Sequence, residues 1–455
     1  MERQNVFQLV APILAALTAL LLFIQPIYAV YVVLLGLMLY LTWRQPVMVL
    51  TMIFISAPFQ RDLSEGGRAA GTVAFSIAEL LVASAIPGFI LSRVINRRPI
   101  VFGPALPFII IYLGICFISC AANNYDRDSL VSIAQMVLYL IVAVTLFASM
   151  ADRLPDMLAI YRATVVVGVL LSVVLLAGGM SLLSLNKNGI GSSLAGTLLV
   201  CVELWFAETT PRRKAWYGIA LTIMTLGLLF SLSRGAWLGT IGGLIVIATL
   251  RREFRLMLRV GVLLLFLFPI FWTLLPQEKR HYAFNFDRSS QNINLRYKSM
   301  DIAQKLFEQS PIIGVGVGIR KRFDATNLVW FTLAESGVLG LIAFVFVQTS
   351  LYRMLWVAHK YVKTSDPIYS FLAIAGALLT SKMLHGMVDH YWSRGVIMMS
   401  FGSVGLATRV YYNAHVATKK VAPDDPKLTP PVGTPAGRWR PGTPLIPKNE
   451  RGSLG

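Results

Sequence analysis

Several short segments of this chain keep side chains that an apolar polypeptide has little reason to keep. SLSRGAW, Ser231 to Trp237, sets Arg234 beside Ser233 inside a long apolar stretch. An arginine at membrane depth is expensive; it either snorkels to the headgroups or serves a function, usually against an anion, and the second use is expected here. HGMVDHYWSRG carries His385, Asp389, His390 and Arg394. His385 and Asp389 have the i,i+4 spacing that shares one helix face, so the carboxylate could orient the imidazole. SLNKNGIG adds Asn186, Lys187 and Asn188, and TNLVWFTLAESGVLG adds Asn327 and Glu335. Singly, such residues are more often helix caps or interhelical hydrogen bonds than chemistry. Their expected convergence on one side of the molecule is the stronger signal.

A further concentration lies between about Pro276 and Thr326, where Lys279, Arg280, Arg288, Arg296, Lys298, Lys305, Arg320, Lys321 and Arg322 outnumber the acids. Placed outside, so cationic a loop opposes the usual charge bias and suggests retention for an anionic ligand. A long solvated loop that escapes the bias is the alternative. Within it, RYKSMDIAQKLFEQSP spaces Met300, Ala303, Leu306 and Phe307 as one face of an amphipathic helix ended by Pro311. Gly314, Gly316 and Gly318 follow in PIIGVGVG, which permits a tight turn and close approach of backbone to a ligand.

The elements that must position these groups are membrane helices. Of 455 residues 56% are apolar and 14% charged, and the mean hydropathy is +0.66. That balance excludes a water-soluble domain. The apolar runs are continuous, without the alternation of a barrel, and each approaches the roughly 20 residues that a helix needs to cross a bilayer. An all-α, polytopic integral membrane protein is expected, with about fourteen spans beginning near Leu9, Ile27, Pro46, Val73, Ala105, Leu130, Arg162, Ile190, Ala215, Gly235, Val260, Asn327, Ile368 and Gly395. The run from Leu9 to Phe23 is expected to be an uncleaved first helix. The net charge of +19 then sets topology rather than nucleic-acid binding. Arg93, Arg97 and Arg98; Arg212, Arg213 and Lys214; Arg251, Arg252, Arg255 and Arg259; and Arg353, Lys360 and Lys363 all fall on the cytoplasmic side under this threading, together with both termini. The expected domains are a transmembrane part, 1–412, with one large outer loop at about 276–326, and a basic, proline-rich, disordered tail, 413–455, able to touch anionic headgroups. Cys116, Cys120 and Cys201 all sit in apolar runs and suit neither a disulfide framework nor a zinc site.

SLSRGAW, then Arg296 opening the amphipathic segment that ends SPIIGVGVG, then NLVWFTLAESGVLG, resembles the O-antigen ligase and polymerase family over roughly Ser181 to Gly340. The resemblance implies a metal-independent membrane glycosyltransferase, without cofactor, using glycans carried on undecaprenyl pyrophosphate at the outer face of the bacterial inner membrane. Arg234 and Arg296 match the two arginines that hold the pyrophosphate in the ligases. Membrane lipids, a chain-length regulator and a flippase of the same pathway would be its partners. The ligases place a histidine, the base on the acceptor hydroxyl, directly before the asparagine that opens the span after the loop; here Thr326 stands before Asn327. A threonine hydroxyl cannot accept a proton near neutrality as an imidazole with pKa about 6.5 can. The polymerase side of the family is therefore expected over transfer to lipid A core.

On this reading Arg234 and Arg296 stabilise the leaving pyrophosphate, and Asp389 and His390 are the first candidates for the base, with His385 beside them and Asp324 and Glu335 behind. Asn188, Ser233, Arg320, Arg322, Asn327, Glu335 and His385 would contact substrate. Two readings of other classes compete. A transporter or flippase for lipid-linked glycans places its polar groups near the midplane, usually with internal repeats, and no repeat is evident. A non-catalytic export subunit would use the outer loop to bind a partner.

Overall fold

The computed structural model describes residues 26–59, 75–123, 126–178, 187–277, 280, 291–319, 327–389, 391–392 and 396–421. Among them every regular element is a helix, as backbone in hydrocarbon demands. In chain order these are α1 (Pro26–Arg44), α2 (Pro46–Ser56), α3 (Ile77–Asn96), α4 (Leu106–Ala122), α5 (Arg127–Met150), α6 (Leu154–Leu176), α7 (Lys187–Ala207), α8 (Pro211–Phe230), α9 (Arg234–Arg251), α10 (Arg255–Leu274), α11 (Gln291–Gln309), α12 (Leu328–Tyr361), α13 (Tyr369–Gly386) and α14 (Val396–Val421). A π-helical turn, Leu138–Ala143, interrupts α5.

A helix stands near every expected span start except the one at Leu9, which lies outside the described residues. Pro46, Pro107, Pro155 and Pro211 mark four of the starts, where a proline loses no helical hydrogen bond. The sixth helix begins at Leu154, well before the expected Arg162. Hydropathy misses its first two turns because Arg153, Asp156 and Arg162 surround the buried Met157, Ile160 and Tyr161. Six described helices are long and apolar enough to cross a membrane: α3, α5, α6, α7, α10 and α12. A seventh crossing arises if α1 and α2, bent by 119° at Gln45, count as one broken span. Alone α2 has 11 residues and rises only about 16 Å, too little to cross. Charge lowers the average of α8, through Arg213 and Lys214, and of α13, through Lys382. The last helix runs on to Val421, past the expected boundary after Tyr412.

The core centres on α13, almost every residue of which is buried, packed between α9 and α14. Glycines make the α9–α13 approach close: a Cβ at Gly239 would come within 2.6 Å of the Ser381 carbonyl, and one at Gly235 within 2.7 Å of the His385 ring. This is small-residue packing, which membrane helices use in place of a hydrophobic driving force. By contrast α10 buries only Leu256, Leu267 and Phe271.

The glycine-rich segment after α11 docks where α12 is broken. Gly337, with φ 66° and ψ −167°, interrupts α12 and frees its backbone groups. Val315 N donates to Ala334 O (2.9 Å), Gly316 N to Glu335 O (3.1 Å), Val338 N to Pro311 O (2.9 Å) and Leu339 N to Ile312 O (3.2 Å). Asn123 at the end of α4 completes the clamp through its amide to Gly314 O (3.0 Å).

Candidate functional site

Two helix N-termini and one tight turn form the floor of the site. The turn Ser231–Ser233 joins α8 to α9, with Leu232 held at φ 53°. A non-glycine residue there is strained, and such strain gathers at functional sites. Ser231 and Trp237 fix the turn by donating to Leu228 O at 2.7 and 2.9 Å. Ser233 does not cap α9; its hydroxyl instead donates to Asn188 Oδ1 (3.3 Å) in the first turn of α7. Gly191, one turn on, lets α7 reach that serine, since a Cβ there would lie 2.5 Å from the Ser233 Cβ. The N-termini of α7 and α9 thus converge, and both present the positive end of a helix dipole. Lys187 and Arg234 are the first residues of these helices.

The roof comes from α11 and the segment after α13. Arg296, on α11, donates to the carbonyl of Val388. Asn327 caps α12, accepting from Val329 N (3.0 Å) and Trp330 N (3.2 Å), while its amide donates to Met387 O (3.0 Å). Two adjacent carbonyls, Met387 and Val388, are therefore held by Arg296 within the cationic loop and Asn327 just after it. Beyond them Tyr391 and Trp392 are buried, with Gln348 donating to the Tyr391 hydroxyl (2.9 Å) and the Trp392 ring stacking on Phe401. These anchors fix the position of Asp389.

Charge is concentrated between floor and roof. Lys187 lies within electrostatic range of Arg296, Arg234 and Asp389, and Arg234 within range of Arg296. Under the roof His385 Nε2 sits 3.5 Å from Asp389 Oδ2, both residues buried; α13 ends at Gly386, so Asp389 approaches from the turn after the helix and not along a shared helix face. Arg234, Arg296, Asn188, Ser233, Asn327, His385 and Asp389 are thus brought to one end of the bundle. Glu335 is not among them: it lies two turns along α12 from Asn327, and its Oε1 accepts from Gly318 N (2.7 Å) and Ile319 N (3.0 Å). Its place is to hold the glycine segment. His390, Arg320, Arg322, Asp324 and Thr326 lie outside the described residues.

Lys382 was not singled out from sequence. It is buried on α13, one turn below His385, and interacts electrostatically with both His385 and Asp389. The signal was the one that marked Arg234: a lone cation in an apolar run, here FLAIAGALLTSKML. Beside the site, α11, the glycine segment and the start of α5 enclose a cavity of about 400 Å³ lined by Asn123, Asp126, Ser129 and Gln309 among apolar groups. Its amide, carboxylate and hydroxyl suit a ligand rich in hydroxyls.

The model of the O-antigen ligase family matches residues 219–345. No curated protein matches the chain. The matched stretch carries Arg234, Arg296, Asn327 and Glu335, and it stops short of His385 and Asp389.

Proposed function

With an O-antigen ligase domain at residues 219–345 as the premise, we propose that the chain is a glycosyltransferase polymerising oligosaccharide repeat units carried on undecaprenyl pyrophosphate. In this proposal it is a multi-pass protein of the bacterial inner membrane with about fourteen spans and both termini in the cytoplasm. The site end faces outward, and the product is a surface polysaccharide. Membrane lipids surround it, and a flippase and a chain-length regulator act in the same pathway.

The observation that carries the reading is the meeting of Arg234 with Arg296. One begins a helix of the bundle and the other comes from the amphipathic helix α11, yet they lie within range of each other and of Lys187. Such a cluster is a clamp for a pyrophosphate. Arginine is permanently charged and offers paired donors in the spacing of two phosphate oxygens.

In the reaction a hydroxyl oxygen of one glycan attacks the anomeric carbon of another, and the bond from that carbon to the pyrophosphate oxygen breaks. The electron pair leaves with the pyrophosphate, whose growing charge Arg234 and Arg296 stabilise as fixed donors. The hydroxyl proton passes to Asp389, oriented by His385, or is lost late without a dedicated base because pyrophosphate leaves easily. The polar cavity of about 400 Å³ would hold sugar hydroxyls of the acceptor.

Transfer of the glycan to lipid A core is the second reading, favoured by the description of the matching family as O-antigen ligase. Purified full-length chain supplied with a lipid-linked oligosaccharide separates the two. A ladder of polymer supports the proposal; product only when lipid A core is added replaces it with ligation; neither product points to a transporter or export subunit. If Asp389→Ala and His390→Ala keep full activity while Arg234→Ala loses it, the side-chain base is abandoned and the arginine clamp kept.

A further inference from the structure

A second large cavity runs away from the site, starting at Trp237. About 780 Å³ of space lies between α7, α8, α9 and α10 and extends from Trp237 at one end to Trp205 at the other. Leucine, valine and aromatic side chains line its length, among them Leu221, Leu244 and Leu263. Protein does not fill it: a Cβ at either Gly218 or Gly261, both on its wall, would meet nothing within 4 Å. Water would fill it poorly, since roughly 25 molecules at about 30 Å³ each would face an almost wholly apolar lining.

The two ends differ in charge. Near Trp237 the groove is lined by Leu229 and Phe268. At the far end two cations share one indole, the Lys214 Nζ 4.7 Å from the centroid of the Trp205 ring and the Arg259 guanidinium 5.6 Å from it. Arg259 is itself part of the lining. Indole with basic side chains is the arrangement expected at headgroup depth, where the ring is half in lipid and the cation meets phosphate.

We propose that this groove is a binding site for an anionic phospholipid, its headgroup against Lys214 and Arg259 beside Trp205 and its acyl chains running along the groove towards Trp237. A polyprenyl tail is the other apolar occupant, but such a tail carries no charge at its free end and would bring no anion to either cation. A zwitterionic lipid would set its own ammonium against them. The site stands independently of the proposed glycosyl transfer. Its role is to tie α10, which buries few of its own side chains, to the rest of the bundle.

The test is native mass spectrometry of the purified full chain in neutral detergent, titrated separately with phosphatidylglycerol, phosphatidylethanolamine and undecaprenyl phosphate. Phosphatidylglycerol should be retained about tenfold better than phosphatidylethanolamine, the preference expected of two cations close to one phosphate. The double substitution Lys214→Gln, Arg259→Gln, at positions outside the packed core, should reduce that preference to near unity. Gly261→Leu, which keeps both cations but narrows the groove, should weaken retention of both phospholipids. Equal retention of the two phospholipids by the unaltered chain would overturn the proposal. So would displacement of phosphatidylglycerol by undecaprenyl phosphate with an affinity indifferent to the charge substitutions, since the groove would then belong to a carrier tail.

Discussion

The two ends of this bundle use arginine in opposite ways. At the end remote from Arg234, Arg251 bonds through Nε to both oxygens of the fully buried Glu203 (2.8 and 3.0 Å), and its other nitrogens reach Thr364 O and Ser370 Oγ. Arg98 meets Asp152 at 3.2 Å, and the buried Arg93 donates to the carbonyl of Ser149. Each of these three arginines is matched by a carboxylate or carbonyl oxygen that fixes one helix end against another. At the other end Lys187, Arg234 and Arg296 bear on one another. Assembling like charges costs stability, and Asp389 beside Lys187 offsets part of that cost. Residue type alone does not separate these two settings of arginine.

The largest effect should come from the site end. Arg234→Ala is expected to lower product formation a hundredfold to a thousandfold, the usual consequence of losing one donor to a developing anion, while the protein still folds. Arg234→Lys should recover little, because a point charge cannot replace a paired donor. The comparison breaks if Arg234→Ala lowers the melting temperature in detergent as much as it lowers activity, for Arg234 would then be a structural arginine too.

At the opposite end the order of effects should reverse. Glu203→Gln leaves the Arg251 charge held without its carboxylate, a change that costs about 3 kcal/mol or more when a buried pair is broken from one side. Thermal unfolding in detergent should register this as a loss of several degrees. Activity per folded molecule should stay within about twofold. Loss of activity at unchanged stability would show that this pair reaches the site.

Part of this contrast is legible in the sequence. Arg234 and Arg296 stand out because one is isolated in apolar residues and the other opens an amphipathic helix within a basic loop. His385 and Asp389 lie 3.5 Å apart, though across the end of α13 and not along one helix face. The helices themselves follow from hydropathy, apart from starts such as that of α6, where charged residues interrupt a buried face. What could not be read is who meets whom across long separations. Glu335 has the same standing in sequence as Asn327, yet it serves the backbone of the glycine segment because Gly337 breaks the helix two residues away. The pairing of Arg296 with the Val388 carbonyl joins residues far apart in the chain, and no periodicity encodes it. Lys382, a lone cation in an apolar run, carries the same sequence signal as Arg234.

The glycine segment supports the site without belonging to it, so its disruption should be intermediate. A side chain at Gly337 would be strained at φ 66° and would overlap the backbone of Ile312, which docks there. Gly337→Ala is expected to cost about 2 kcal/mol, near the middle of the range for a residue forced into such a conformation. Both stability and activity should fall, since Pro311 to Ile319 connects α11, and with it Arg296, to α12. Limited proteolysis should cut the loop sooner in the variant; unchanged cleavage would mean that the docking does not depend on the helix break.

The smallest effect tests the finest feature of the site. Ser233 donates to Asn188 at 3.3 Å, a single neutral hydrogen bond that links the turn before Arg234 to the first turn of α7. Such a bond contributes about 1 kcal/mol, so Ser233→Ala should lower activity about fivefold through misplacement of Arg234 and leave the melting temperature almost unchanged. Asn188→Ala should do the same, and the double substitution should cost little more than either single one, because both remove one interaction. Additive losses would mean that Ser233 and Asn188 contact the substrate separately, as their residue types also permit. The double-mutant cycle therefore decides whether the converging helix ends act as one anion site or as two independent contacts.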